Sequence, residues 1–228
     1  MDLIVKICGL SSEETIDAAL DAGADMVGLV CFPPSPRFVT PSRAAALAGR
    51  ARGRAEIAVL TVDMDEAGLA EIVEAVKPDW LQFHGEEAPE AVSSAGKRFG
   101  IRVIKAIGVR SASDLARAHL YAAAADRLLI DAKPPKGAVL PGGNGEPFDW
   151  NILTGFKPGL SFMLSGGLHA GNVDEALRIA RAAGVDVSSG VETAPGRKDP
   201  DLIRGFIAAA RRAAAALPSG RTVERVAS

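Results

Sequence analysis

Apolar residues along this chain follow two rhythms that alternate from one end to the other. Short runs rich in β-branched residues give way to stretches with apolar positions at i, i+3, i+4 and i+7. Residues 3–8 form a first strand. Ser11-Ser-Glu-Glu14 then reads as a capping box, with Ser11 accepting an amide hydrogen and Glu14 reaching back. Ile16, Ala19 and Leu20 make the stripe of that helix, and Gly23 ends it. Further strands are predicted at 26–30, 57–62, 80–84, 102–107, 127–131, 161–165 and 185–188. Helices are expected from about Pro41, from Pro89 and from Ser113, and the helix after the third strand carries a stripe of Leu69, Ile72, Val73 and Val76. Val173, Ala176, Leu177 and Ala180 form another stripe, and Leu202, Ile203, Phe206 and Ile207 that of the last helix. Residues 132–147 break the rhythm with four prolines and four glycines, which predicts a long loop, and a short helix follows near Trp150. The polar stretch 218–228 has no periodicity and reads as a frayed tail.

Eight β-then-α units with no composition shift predict a single domain over 1–217. Strands that alternate with helices pair in parallel through right-handed crossovers. Eight units close into a (β/α)8 TIM barrel, typically ~250 residues long. An open doubly wound sheet would place a glycine-rich phosphate turn after its first strand. Cys8-Gly9-Leu10-Ser11 stands there instead.

Composition narrows the partners. At 228 residues the chain can bury roughly 70% of its unfolded surface, so it needs no metal or disulfide to fold. A net charge of −2 gives no electrostatic case for nucleic acid or an anionic membrane. No apolar run reaches the ~18 residues of a membrane span, and the N-terminus reads as a strand, not a signal peptide. With only Cys8 and Cys31 as cysteines, the cytoplasm is the expected compartment. Cys31 reads as a packing residue.

In such a barrel, chemistry belongs at the C-terminal strand ends. Side chains alternate along a strand, so Lys6 and Cys8 face inward while Leu3, Val5 and Ile7 meet the helices. The same parity sends Asp131 inward from strand six, Trp80, Gln82 and His84 from strand four, and Asp186 and Ser188 from strand eight. Lys6 and Asp186 are therefore expected to form a buried ion pair beneath the site. Ser165-Gly-Gly-Leu168 and Ser188-Ser-Gly-Val191 follow strands seven and eight, where barrels often hold phosphate on bare backbone amides. Gly166, Gly167, Ser189 and Gly190 are the candidate phosphate residues.

Seven segments then carry a specific resemblance. Lys6-Ile-Cys-Gly9, Ser35-Pro-Arg-Phe38, Leu81-Gln-Phe-His-Gly85, Leu129-Ile-Asp-Ala-Lys133, Gly142-Gly-Asn-Gly145 with Phe148-Asp-Trp150, Leu164-Ser-Gly-Gly-Leu168 and Asp186-Val-Ser-Ser-Gly-Val-Glu192 occur in order. The chain resembles phosphoribosylanthranilate isomerase over about residues 4–210. The resemblance implies an Amadori rearrangement of N-(5′-phosphoribosyl)anthranilate in tryptophan biosynthesis, with no metal or organic cofactor. It implies Cys8 as base, Asp131 as acid and Arg37 as the grip on the anthranilate carboxylate, while His84 orders the mouth or is merely structural. A nearby cation would favour the Cys8 thiolate. A phosphosugar is the implied partner, bound by a monomer or a homodimer. The proline-rich run 133–141 departs from the family pattern. A related ribotide isomerase would carry aspartate where Cys8 stands, and a non-catalytic phosphosugar-binding barrel would not need Cys8 and Asp131 together.

Overall fold

The structure is a computed structural model that describes residues 3–133 and 148–217. The expected loop through 134–147 and the expected tail at 218–228 lie outside the described residues. Eight parallel strands close a barrel in chain order, and β1 (Ile4–Cys8) pairs with both β2 (Met26–Val30) and β8 (Gly184–Val187). Between them stand β3 (Glu56–Thr61), β4 (Trp80–Phe83), β5 (Arg102–Val109), β6 (Arg127–Ala132) and β7 (Phe162–Leu164). The helices are α1 (Glu13–Asp21), α2 (Pro41–Ala51), α3 (Glu66–Val76), α4 (Pro89–Phe99), α5 (Ala116–Leu120), α6 (Val173–Ala180) and α7 (Pro200–Ala216). A two-stranded hairpin, β9 (Glu192–Ala194) with β10 (Arg197–Lys198), follows β8. Among the described residues no helix is long and apolar enough to cross a membrane.

The parity argument divides the core in two. Outward side chains such as Val5, Ile7, Leu29, Leu81 and Val185 pack under the helices. Inward ones, Met26, Ala58, Trp80, Ile104, Ala106, Leu129 and Met163, fill the barrel. Each fully buried aliphatic side chain contributes roughly 1.5–3 kcal/mol. At the N-terminal end of the barrel three aspartates repeat one device. Asp25, Asp79 and Asp126 each accept an amide hydrogen from a residue of the preceding strand, namely Val5, Ile57 and Val103. These bonds pin β1, β3 and β5 to the turns that enter β2, β4 and β6.

Several local expectations are corrected. The cap of α1 is Ser12, which accepts from Thr15 N, and not Ser11, because the helix begins one residue later at Glu13. Leu202 is 43% exposed, whereas Ile203, Phe206 and Ile207 are buried. With Pro200 as first helical residue, Leu202 turns away from the barrel. The helix expected from Ser113 opens as a 3₁₀ turn, Ala112–Leu115, before the short α5.

Candidate active site

A cavity opens at the C-terminal mouth of the barrel, where enzymes of this architecture place their chemistry. Cys8 from β1, His84 from β4, Asp131 from β6, Ser165 to Leu168 after β7 and Asp186 to Ser189 around the end of β8 all line it. Arg37 reaches in from the loop after β2. Its remaining wall is mostly apolar, made by Val30, Phe32, Leu60 and Val62 beside Ser35.

Cys8 is buried, and its sulfur lies against Gly28 of the neighbouring strand, where a Cβ would sit 2.8 Å from Sγ. One layer deeper, Lys6 is fully buried and its Nζ donates to Asp186 Oδ1 at 2.9 Å. Strand pairing sets this contact, since Lys6 and Asp186 are register partners between β1 and β8. The pair expected from parity is thus formed. Burial opposes the Lys6 ammonium, yet Asp186 and the neighbouring Cys8 outweigh it and hold the Lys6 pKa up. The expected cation beside Cys8 is present, but it does not prevail. Burial pushes the Cys8 thiol above its ordinary 9.0, Lys6 and Lys198 pull it down, and Asp186 works against them. The reason is the burial of a group whose charged form needs solvation.

Asp131 is 3% exposed, and its Oδ2 lies 3.1 Å from His84 Nε2. His84 Nδ1 is 3.1 Å from the Gln82 amide nitrogen, so β4 and the residue that follows it supply both members of the chain. Taking the amide as donor assigns the imidazole proton to Nε2, aimed at Asp131. Asp131 Oδ1 accepts from Ala132 N at 2.9 Å. The carboxylate is therefore held at both oxygens.

Arg37 is buried, and its fork is engaged by Glu192. Nε donates to Oε1 at 2.7 Å and Nη2 to Oε2 at 2.8 Å. Glu192 also accepts from Lys198 Nζ at 2.7 Å, and Lys198 in turn donates to Ser188 O and Oγ. Burial raises the Glu192 pKa, but the bonds from Arg37 and Lys198 outweigh it and the net shift is downward. Lys198 is shifted down by burial despite Glu192.

The two glycine turns approach each other closely. Gly166 and Gly167 have φ of +87° and +66°, which side-chain-bearing residues rarely adopt. A Cβ on Gly190 would sit 1.8 Å from the Leu168 carbonyl oxygen. Gly166, Gly167 and Ser189 face the cavity, while Gly190 stands behind them and lets the loops close. Glu192 and Lys198, which form the ion pairs behind Arg37, had no role from sequence alone. Glu192 lies inside a quoted motif, but Lys198 carries no signal, because only the β9–β10 hairpin turns it inward. Cys31 packs in the outer core, and burial moves its thiol up to about 11.

A family profile described as N-(5′-phosphoribosyl)anthranilate (PRA) isomerase matches residues 5–209. The N-(5′-phosphoribosyl)anthranilate isomerase of Afipia carboxidovorans is 61% identical over 213 residues, covering 93% of this chain and 91% of the relative. The crystal structure of phosphoribosyl anthranilate isomerase from Thermotoga maritima superposes with a TM-score of 0.84 at 34% identity, covering 92% of this chain and 99% of that one. A further isomerase structure, in complex with reduced 1-(o-carboxyphenylamino)-1-deoxyribulose 5-phosphate, gives a TM-score of 0.81 at 32% identity over 92% of this chain and 99% of that one.

Proposed function

The chain belongs to the N-(5′-phosphoribosyl)anthranilate isomerase family and converts N-(5′-phosphoribosyl)anthranilate to 1-(o-carboxyphenylamino)-1-deoxyribulose 5-phosphate in tryptophan biosynthesis, and from that premise we propose that Cys8 and Asp131 divide the two proton transfers. Asp131 donates its proton to the furanose ring oxygen. The C1′–O bond breaks as the anilino nitrogen lone pair forms the C=N bond. Cys8 as thiolate then removes the C2′ proton, and the released electron pair neutralises the iminium to give an enolamine. Tautomerisation yields the ketone. The reaction conserves atoms and oxidises C2′ at the expense of C1′.

The observation that carries this reading is the placement of Cys8 and Asp131 in the wall of one cavity, on different strands. The Nε2–H of His84 steadies the carboxylate that Asp131 becomes after donation. Lys6 performs the matching service for the Cys8 thiolate. The phosphate sits at the paired turns of Gly166, Gly167, Ser189 and Gly190, where backbone amides come close to an anion. Arg37 takes the anthranilate carboxylate, and Val30, Phe32 and Leu60 cover the ring. The phosphosugar partner is the ligand class already bound in the liganded relative. Loss of phosphoribosylanthranilate fluorescence on adding purified protein tests the activity directly. A protein that leaves the signal unchanged would overturn it.

A further inference from the structure

Arg37 alone is a poor grip. A long side chain on a loop samples many rotamers, and each ordered one costs about 2 kcal/mol of freedom or less. In this barrel its geometry is fixed from behind. Gly9 has no side chain, and a Cβ there would meet Arg37 Cδ at 2.6 Å, so the stem lies directly on the β1 loop. Gly196, in the β9–β10 turn, packs as closely on the Pro36 carbonyl, where a Cβ would sit 2.4 Å from the oxygen. The planar fork meets the Glu192 carboxylate edge to edge through two charge-assisted bonds.

A carboxylate beside the arginine that must attract a second carboxylate looks self-defeating. Lys198 resolves the charge balance. Its ammonium, 1% exposed, binds the same Glu192 oxygen, so the Arg37–Glu192–Lys198 row keeps a net charge of +1. Lys198 has a second tie. It also holds the Ser188 carbonyl and hydroxyl, at the root of the loop that carries Ser189 and Gly190. One buried row thus reaches from the β2 loop to the β8 loop.

We propose that Glu192 and Lys198 are positioning residues for substrate recognition, with Glu192 setting the orientation of Arg37 toward the substrate carboxylate and Lys198 coupling that grip to the phosphate loop. This rests on the assignment of Arg37 to the carboxylate and of the β8 loop to the phosphate. Neither side chain lines the cavity. Their effect is on selectivity for an o-carboxylated ligand.

The test uses the full chain and two competitive ligands, the reduced product and its counterpart lacking the o-carboxyl group, together with inorganic phosphate. In Glu192→Gln one charge-assisted acceptor is lost, and the preference for the carboxylated ligand should fall about tenfold or more. KM should rise far more than kcat falls, and inhibition by inorganic phosphate should stay as in the wild type. In Lys198→Met both the carboxyl preference and phosphate inhibition should weaken. An undiminished preference in Glu192→Gln would overturn the proposal, and so would an equal loss for all three ligands with a lowered Tm, which marks a merely structural hairpin. Unchanged phosphate inhibition in Lys198→Met would remove the coupling role. If the wild type itself shows no carboxyl preference, the fault lies in the role given to Arg37. If it shows no turnover, the fault lies in the activity.

Discussion

Lys6 Nζ and Asp186 Oδ1 lie 2.9 Å apart beneath the cavity at the barrel mouth, and neither side chain is more than 4% exposed. The pairing is set by adjacency of β1 and β8, so it exists only because the barrel closes. A buried pair of this kind is weak evidence for stability as a whole, but stranding one charge is costly. Lys6→Met or Asp186→Leu alone should lose about 3–5 kcal/mol in urea unfolding, while the two together should lose clearly less than the sum. Additive losses in the double variant would show that the two side chains act independently.

This pair also shows what the sequence makes legible. Parity along a strand needs only a period of two, so the sequence alone turns Lys6, Cys8, Asp131 and Asp186 inward. The eight-unit rhythm gave the closure that brings β1 beside β8. What stayed hidden depends on irregular backbone. Lys198 is buried by a two-residue strand after a Gly196 turn, and no periodic pattern marks such a hairpin. Lys105 is similar. It is buried outside the barrel, with its Nζ on the Gly85 carbonyl and on Glu87, and parity cannot foresee a lysine among the helices. The Ser11 expectation missed for a simpler reason, a one-residue shift in where the helix begins, and Leu202 because it lies at the edge of the apolar stripe, in the first turn of α7.

Cys8→Ala and Asp131→Asn should each lower kcat at least ~10²-fold, the contribution of a general base or acid, with smaller effects on KM. The pH profile gives a second readout. Cys8 must ionise to act, and its pKa stands above the ordinary 9.0, so kcat/KM should climb as pH rises through neutrality. Replacing both Lys6 and Asp186 by Met and Leu removes the stronger cationic pull, which should move the limb further up. A flat profile between pH 6 and 9, about three units across, is incompatible with a thiolate base on this limb.

Arg37→Ala should act mainly on KM, because a carboxylate grip holds substrate and transition state alike. Arg37→Lys should recover little, since a single ammonium cannot satisfy Glu192 with two parallel bonds and still face the ligand. Steady-state kinetics on both variants decide the matter. Unchanged KM with a large fall in kcat would assign Arg37 to the chemistry instead.

Two glycines should respond in opposite senses to the same substitution. Gly190→Ala would drive a methyl into the Leu168 carbonyl, 1.8 Å away, and rigid backbone cannot yield cheaply. The loops should part, with weaker phosphate inhibition and lower stability. Gly49 lies within α2 and a Cβ there meets nothing within 4 Å. Gly49→Ala should stabilise by about 0.5–1 kcal/mol through helix propensity, with kinetics unchanged. A Gly190→Ala protein that binds phosphate normally would show that the two turns need not touch.

The far end of the barrel offers a case where a charged residue should be dispensable. Trp80 closes that end, with the Arg102 guanidinium 4.2 Å and the Arg127 guanidinium 4.6 Å from its ring centroid. Arg102 is also bonded to Glu56, which accepts the Trp80 indole hydrogen as well. Arg127 differs. Its Nε and Nη1 are buried and have no hydrogen-bond partner among the described residues, and burial lowers its pKa. A contact with the ring face is worth about 0.5–2 kcal/mol, while each buried donor without a partner costs about 1–3 kcal/mol. The penalties outweigh the attraction. Methionine keeps an unbranched stem and a polarizable end against the indole without the unmet donors. Arg127→Met should therefore leave Tm unchanged or raise it, with kinetics at the opposite end unaffected. A loss above about 1 kcal/mol would show that the ring contact dominates.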